Sequence, residues 1–237
     1  MNSKEVVMRC DCDWKTFVNI AKKPEFLLYY FPYCKGCALK DNIVHVEFDV
    51  KKFIFDFKFD FDIKVEISYP FLRYVMKGKK GTLVIAFKMN EKKKNMVIYV
   101  SWEGFGERLM DRQLKEFAEG IRNSLRYIID EFVHTKFLIK EKKRGGMRVT
   151  DIDPTKMPPI VKYFYTTADS RSFVILGAGE TGDFFRIYIK DGVVEKCRYI
   201  KGNEKFEMKI DKEITELNWE DFKDMKPRGD YFMKIEE

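Results

Sequence analysis

FIFDFKFDFDIKVEI, residues 53–67, decides the fold. Phe53, Phe55, Phe57, Phe59, Phe61, Ile63, Val65 and Ile67 alternate with Ile54, Asp56, Lys58, Asp60, Asp62, Lys64 and Glu66. A period of two held this long predicts a single strand with one greasy and one charged face. Strands usually run ~5–6 residues, so this one is expected to curve or bulge.

The same alternation continues on both sides. Residues 42–50 place Val44, Val46, Phe48 and Val50 against His45, Glu47 and Asp49. Strands are also expected at 72–77, 82–89 and 96–103, separated by Pro70, Gly78–Gly81 and Asn90–Asn95, as in an antiparallel meander. Before them, residues 4–13 read as a first strand with Val6, Met8, Cys10 and Cys12 on one face. Asp13 is placed to cap a short helix that Pro24 breaks; a second short helix ends at Pro32. After them, Met110, Leu114, Phe117, Ile121, Leu125, Ile128 and Phe132 recur at steps of three and four, the stripe of a long one-sided helix starting near Glu107. A helix this one-sided needs a broad apolar partner, and the phenylalanine face of the sheet supplies it.

Strand, bent helix pair, curved antiparallel strands and long last helix, in that order over about residues 4–133, resemble the START-related SRPBCC (helix-grip) superfamily. The pieces that carry the likeness are Asp13-Trp14-Lys15-Thr16-Phe17, Phe31-Pro32-Tyr33-Cys34 and Gly104-Phe105-Gly106-Glu107-Arg108-Leu109. Within the superfamily the chain is most similar to the branch that holds the polyketide cyclase-like proteins and the G-type component of carbon monoxide dehydrogenase. The resemblance implies an α+β helix-grip fold: a curved sheet around the long helix, with a cavity between them.

A helix ~10–12 Å across leaves space against such a sheet unless side chains fill it. From the strands the candidate lining is Phe55, Phe57, Phe59, Phe61, Tyr74 and Met76, then Ile85, Phe87, Ile98 and Trp102. Phe17, Met110, Leu114 and Phe117 would complete it from the helices. These rings either fill the core themselves or line a small, narrow pocket for an apolar ligand.

The second half starts beyond Lys136–Arg148, which carries six cations and one acid, Glu141, and reads as a basic linker. The expected division is therefore a helix-grip domain at 1–135, the linker at 136–148 and a small α+β or mostly β domain at 149–237. Strands are expected at 160–167, 172–178, 183–190, 193–199 and 205–210, with Asp191-Gly192 as a type I′ hairpin and Asn218 capping a short helix. Gly177-Ala178-Gly179-Glu180-Thr181-Gly182 spells G-x-G-x-x-G. Cradling a dinucleotide phosphate requires a helix N-terminus directly after it, and the alternating residues 183–189 fit a hairpin loop better.

Composition narrows the function. With 45% hydrophobic and 16% aromatic residues the chain is no disordered tail, and 14 Gly, 7 Pro and 5 Cys exclude collagen-like and disulfide-scaffold classes. Apolar runs are too short to span a bilayer, and MNSKEVVMRCDCDW lacks the apolar stretch of a signal peptide, so a cytoplasmic protein is expected. Lys and Glu dominate the polar set and Gln occurs once, a pattern shared by hyperthermophile proteins, although an AT-rich genome gives a similar bias. The net charge of +7 is modest and the aromatics sit on core faces, which argues against nucleic acid; the stretch Lys136–Arg148 suits a protein partner or an anionic membrane surface.

Chemistry is sparse. His45 and His134 are the two imidazoles, with no sequence-local partner, and no nucleophile, metalloprotease or Walker motif is present. Cys10, Cys12, Cys34 and Cys37 form C-x-C and C-x2-C pairs, which makes zinc a candidate, but free thiols in a reducing compartment are the preferred reading. No catalytic residue, metal or cofactor is assigned. The expected function is non-enzymatic binding of a hydrophobic or amphipathic small molecule, lipid-like or quinone-like. The alternatives are a ligand-free interaction module acting through the second domain and a cavity-based cyclase or lyase.

Overall fold

In the computed structural model the described residues are 2–40, 43–52, 55–107, 110–142 and 146–237, with the side chains of 51–57 and 140–145 outside the description. They form two compact units, Met1–Asp130 and Glu131–Glu237, each built on a seven-stranded antiparallel sheet.

The first unit begins with β1 (Asn2–Arg9), followed by helices α1 (Trp14–Ala21) and α2 (Pro24–Leu28). Asp13 caps α1 as expected, its carboxylate accepting from Thr16 N at 2.7 Å, and Pro24 opens α2. The meander is β2 (Cys34–Lys40), β3 (Ile43–Lys52), β4 (Phe55–Ser68), β5 (Phe71–Gly78), β6 (Gly81–Asn90) and β7 (Asn95–Gly104). Sheet order is β1-β7-β6-β5-β4-β3-β2, so the first strand closes against the last. Helix α3 (Asp111–Leu138) then follows. Its residues Leu114, Phe117, Ile121, Leu125 and Ile128 are buried, and Met110 is half-buried just ahead of it. This is a helix-grip-like arrangement, α+β in class.

Two expectations change here. Cys34–Lys40 is a strand, paired with β3 at Cys37↔Val46 and Lys40↔Ile43. The greasy face of β4 also fades along its length: Phe59 and Phe61 are buried, Ile63 and Val65 are half-buried, and Ile67 is exposed.

The second unit orders its strands β13-β12-β11-β10-β14-β9-β8. These are β8 (Ile139–Lys142), β9 (Gly146–Ile152), β10 (Phe173–Gly179), β11 (Phe184–Lys190), β12 (Val193–Lys201), β13 (Glu204–Glu213) and β14 (Gly229–Glu236), with helix α4 (Met157–Thr167) between β9 and β10. Residues 160–167, expected as a strand, are therefore helical. The stretch 136–148, expected as a linker, instead carries the end of α3, β8 and the start of β9, which pair at Ile139↔Val149. Ile139 is buried there, and Arg148 reaches Glu180 at 2.9 Å and Asp230 at 2.7 Å. At the β11–β12 turn both Asp191 and Gly192 have positive φ (51° and 86°), the backbone a type I′ hairpin requires. Among the described residues no helix is long and apolar enough to cross a membrane.

Candidate functional site

The apolar face of the first sheet and the start of α3 leave a cavity between them. Phe48 and Val50 of β3, Phe59 and Phe61 of β4, Leu83 of β6 and Trp102 of β7 form one wall. Met110, Gln113, Leu114 and Phe117 close the other side, with Tyr33 beside them. The rings interlock edge to face: Phe59 lies 5.2 Å from Trp102, and Phe48 lies 5.4 Å from Phe117. Trp102 spends its indole N–H on the Phe105 carbonyl at 3.1 Å, so only its apolar surface is left for the cavity.

The space open to the centre of a water-sized sphere is about 40 Å³. By that measure one water needs ~10–15 Å³, and it takes ~30 Å³ of liquid. The cavity thus holds about three waters, or ~90 Å³ of liquid, less than the ~150 Å³ of a cavity that admits benzene, so a ring enters only as the surrounding side chains yield. All described lining residues are buried except Tyr33 and Met110, which are half-buried and mark where the lining meets solvent.

Tyr33 is set in place by its backbone. Its φ is 67°, a left-handed conformation that costs a bulky residue ~1–2 kcal/mol. Its carbonyl accepts from Asp49 N at 2.9 Å, and its ring stacks on Phe117 at 6.0 Å. Two contacts with α3 hold the preceding loop: Ser124 Oγ donates to the Tyr30 carbonyl at 2.6 Å, and Pro32 lies where a Cβ on Gly120 would stand. Gly120 is thus a place where chain approach, not helix propensity, chose the residue. Burial and the neighbouring Glu116 carboxylate, to which the phenol hydrogen-bonds, push Tyr33 above the usual tyrosine range.

Gln113 is the other polar lining group. It is 7% exposed, and its Oε1 is buried with no hydrogen-bond partner. It is the sole glutamine of the chain.

Of the residues expected to line a pocket, Phe59, Phe61, Trp102, Met110, Leu114 and Phe117 come together around this cavity. Phe17, Tyr74, Met76, Ile85, Phe87 and Ile98 are instead fully buried core. Phe87 packs on Phe17 at 5.4 Å and on Tyr74 at 5.8 Å, and the Tyr74 hydroxyl donates to the Ala21 carbonyl at 2.6 Å. The side chains of Phe55 and Phe57 lie outside the described residues. Sequence reasoning missed Tyr33, Phe48, Val50, Leu83 and Gln113. Gln113 stands four residues before Phe117 and one before Leu114, a spacing that already put it beside the apolar stripe.

The cysteine pairs do not converge. Cys10 and Cys12 follow β1 and lie 3.4 Å apart, while Cys34 and Cys37 belong to β2 at the other end of the sheet order. Burial pushes the Cys34 thiol up to about 11. Among the described residues no group of three or more His, Cys, Asp or Glu side chains could hold a metal ion. His45 does gain a partner across the sheet, Asp62 at 2.6 Å, on the face opposite the buried Val44 and Val46.

The G-x-G-x-x-G segment is a hairpin between β10 and β11, paired up to Ala178↔Phe184. It is organised by Asp183, which is 3% exposed. Thr181 Oγ1 donates to its Oδ1 at 2.7 Å, Tyr199 to its Oδ2 at 2.9 Å, and the Tyr231 hydroxyl also to Oδ2. Burial alone would raise the Asp183 carboxyl; the three hydroxyls outweigh it and hold the group below the usual aspartate range. Burial and this carboxylate push Tyr199 up to about 12. Every oxygen of the cluster is engaged within the protein, which makes it a structural anchor of the loop.

No protein-family model matches the chain, and no curated protein matches it. Among solved structures it is similar to a hypothetical protein from Sulfolobus tokodaii, at 18% identity and a TM-score of 0.42 over 56% of this chain and 95% of that one. It is also similar to two di-domain ARO/CYC proteins. BexL, from the BE-7585A biosynthetic pathway, is 8% identical with a TM-score of 0.42, over 99% of this chain and 84% of that one. StfQ, from the steffimycin biosynthetic pathway, is 9% identical with a TM-score of 0.39, over 99% and 83%. At these TM-scores the likenesses bear on neither fold nor function, which rest on the sheet order and the cavity themselves.

Proposed function

We propose that the first unit is a non-enzymatic binding module that holds a compact apolar molecule between its sheet and α3. The observation that carries this reading is the unfilled space walled by Phe48, Phe59, Phe61, Trp102 and Phe117, all of them buried. Closing that space with larger side chains would stabilise the fold, since empty volume costs dispersion and transfer energy. A site for a ligand is a reason to leave it open. Its size admits a short branched chain, or a single ring once the lining side chains shift; a long acyl tail does not fit beside the side chains as they stand. The described lining offers an amide at Gln113 and a phenol at Tyr33 whose proton is held more tightly than usual, a set suited to holding and orienting a molecule.

Native mass spectrometry of the purified full chain, followed by organic extraction, tests this. A stoichiometric adduct of low mass is the expected result. A bare mass that persists after incubation with monocyclic aromatic compounds would favour an interaction module working without a ligand.

A further inference from the structure

We infer that the cavity selects a ring bearing a hydrogen-bond donor, a phenol, alcohol or N–H group, which the Gln113 side chain accepts. The inference rests on the proposed binding role and adds the chemical class. Gln113 Oε1 is buried and unpartnered in a lining whose other polar side chain, Tyr33, hydrogen-bonds Glu116. A buried acceptor left without a donor is costly. A leucine or methionine at position 113 would remove that cost and continue the stripe of Leu114 and Phe117. Trp102 cannot supply the missing proton, because its N–H is committed to Phe105.

The small volume fixes the rest of the description: at most one ring enters. A donor on a single ring brings one polar atom to Gln113 and leaves the remaining surface to Phe48, Phe59, Phe61 and Phe117. An acceptor-only molecule of the same size, such as an ether or a quinone, brings no proton for Gln113 Oε1 and would leave it without a donor. A hydrocarbon would leave Gln113 as unsatisfied as before.

The test is isothermal titration of the full chain with phenol, anisole and toluene, repeated on Gln113→Leu and Gln113→Met. Phenol is expected to bind about 10-fold more tightly than toluene once their different hydration is cancelled by comparing the ratio between parent and variants. Both variants should lose that preference while still binding toluene. If phenol and toluene bind the parent and the ratio is unchanged in both variants, the role of Gln113 is overturned and the binding role stands. Anisole binding the parent as tightly as phenol would overturn the donor class in the same way. If none of the three binds the parent, the binding role itself fails, and this inference with it.

Discussion

Replacing Asp183 by asparagine should cripple the second unit while changing a single side-chain atom. The carboxylate accepts three hydroxyls, from Thr181, Tyr199 and Tyr231, and both tyrosines are buried. A hydrogen bond to a charged acceptor is worth ~1.5–3 kcal/mol against ~0.5–1.5 for a neutral one. Three such bonds weakened together lose about 3 kcal/mol. The amide NH2 must also face at least one hydroxyl that has nowhere else to donate, at ~1–3 kcal/mol more. Because neighbours in one network do not add fully, a loss of about 3–5 kcal/mol is expected, a large part of the ~5–15 kcal/mol that holds a domain together. Urea unfolding read by hydrogen exchange of peptides from β10, β11 and β14 isolates this unit from the first. The pH dependence gives a second reading. The folded Asp183 pKa lies below its unfolded value of ~3.9, so between the two the unfolded chain binds more protons and stability rises with pH. Its contribution is complete by about pH 5 and is lost as pH falls through the unfolded and then the folded pKa. Asp183→Asn should lack that acid-side component. A variant within about 0.5 kcal/mol of the parent, with an unchanged acid limb, would refute the assignment of the cluster as an anchor.

Three further outcomes follow from geometry already described. Tyr74→Phe should cost the first unit about 1–3 kcal/mol in urea unfolding, because it strands the Ala21 carbonyl at the end of α1 without its donor; a change near zero would mean that carbonyl has another partner. At position 33, glycine should be more stable than alanine by about 1–2 kcal/mol, since both remove the ring but only glycine relieves the left-handed backbone; the reverse order would contradict that conformation. Cys34, raised to about 11, should react with iodoacetamide at neutral pH on the order of 100-fold more slowly than a free cysteine, which peptide mass spectrometry of a timed alkylation would measure.

The first unit was legible where one physical pattern dominated. β4 and α3 each bury one face only, so their periods of two and of three to four survive in the residues. Helix α4 shows the opposite case. Met157, Pro158, Ile160, Val161, Lys162, Phe164, Tyr165 and Thr166 are all buried, so the helix is covered on nearly every side and no stripe remains to be read. Its β-branched and aromatic residues then pointed to a strand, although Pro158 and Pro159, favourable in a first helical turn, were the available signal. β2 was hidden by its cysteines, whose spacing invited a metal reading before a strand reading. Gln113 was hidden by its type: a glutamine beside a stripe looks like a solvated flank until the opposite wall is known to bend over it.

The pairing of β1 with β7 also governs how the chain can fold as it is made. β2 to β7 meet their partners through short hairpins, but Asn2–Arg9 has no partner until Asn95–Trp102 exists. At synthesis rates of ~5–20 residues per second, that wait lasts about 5–20 s. Throughout it, Met8 remains uncovered on a segment with open hydrogen-bonding edges, the kind of surface that recruits other chains. Arrival of β7 ends the exposure in one step, so the hazard lasts until Asn95–Trp102 have been made and are free to pair.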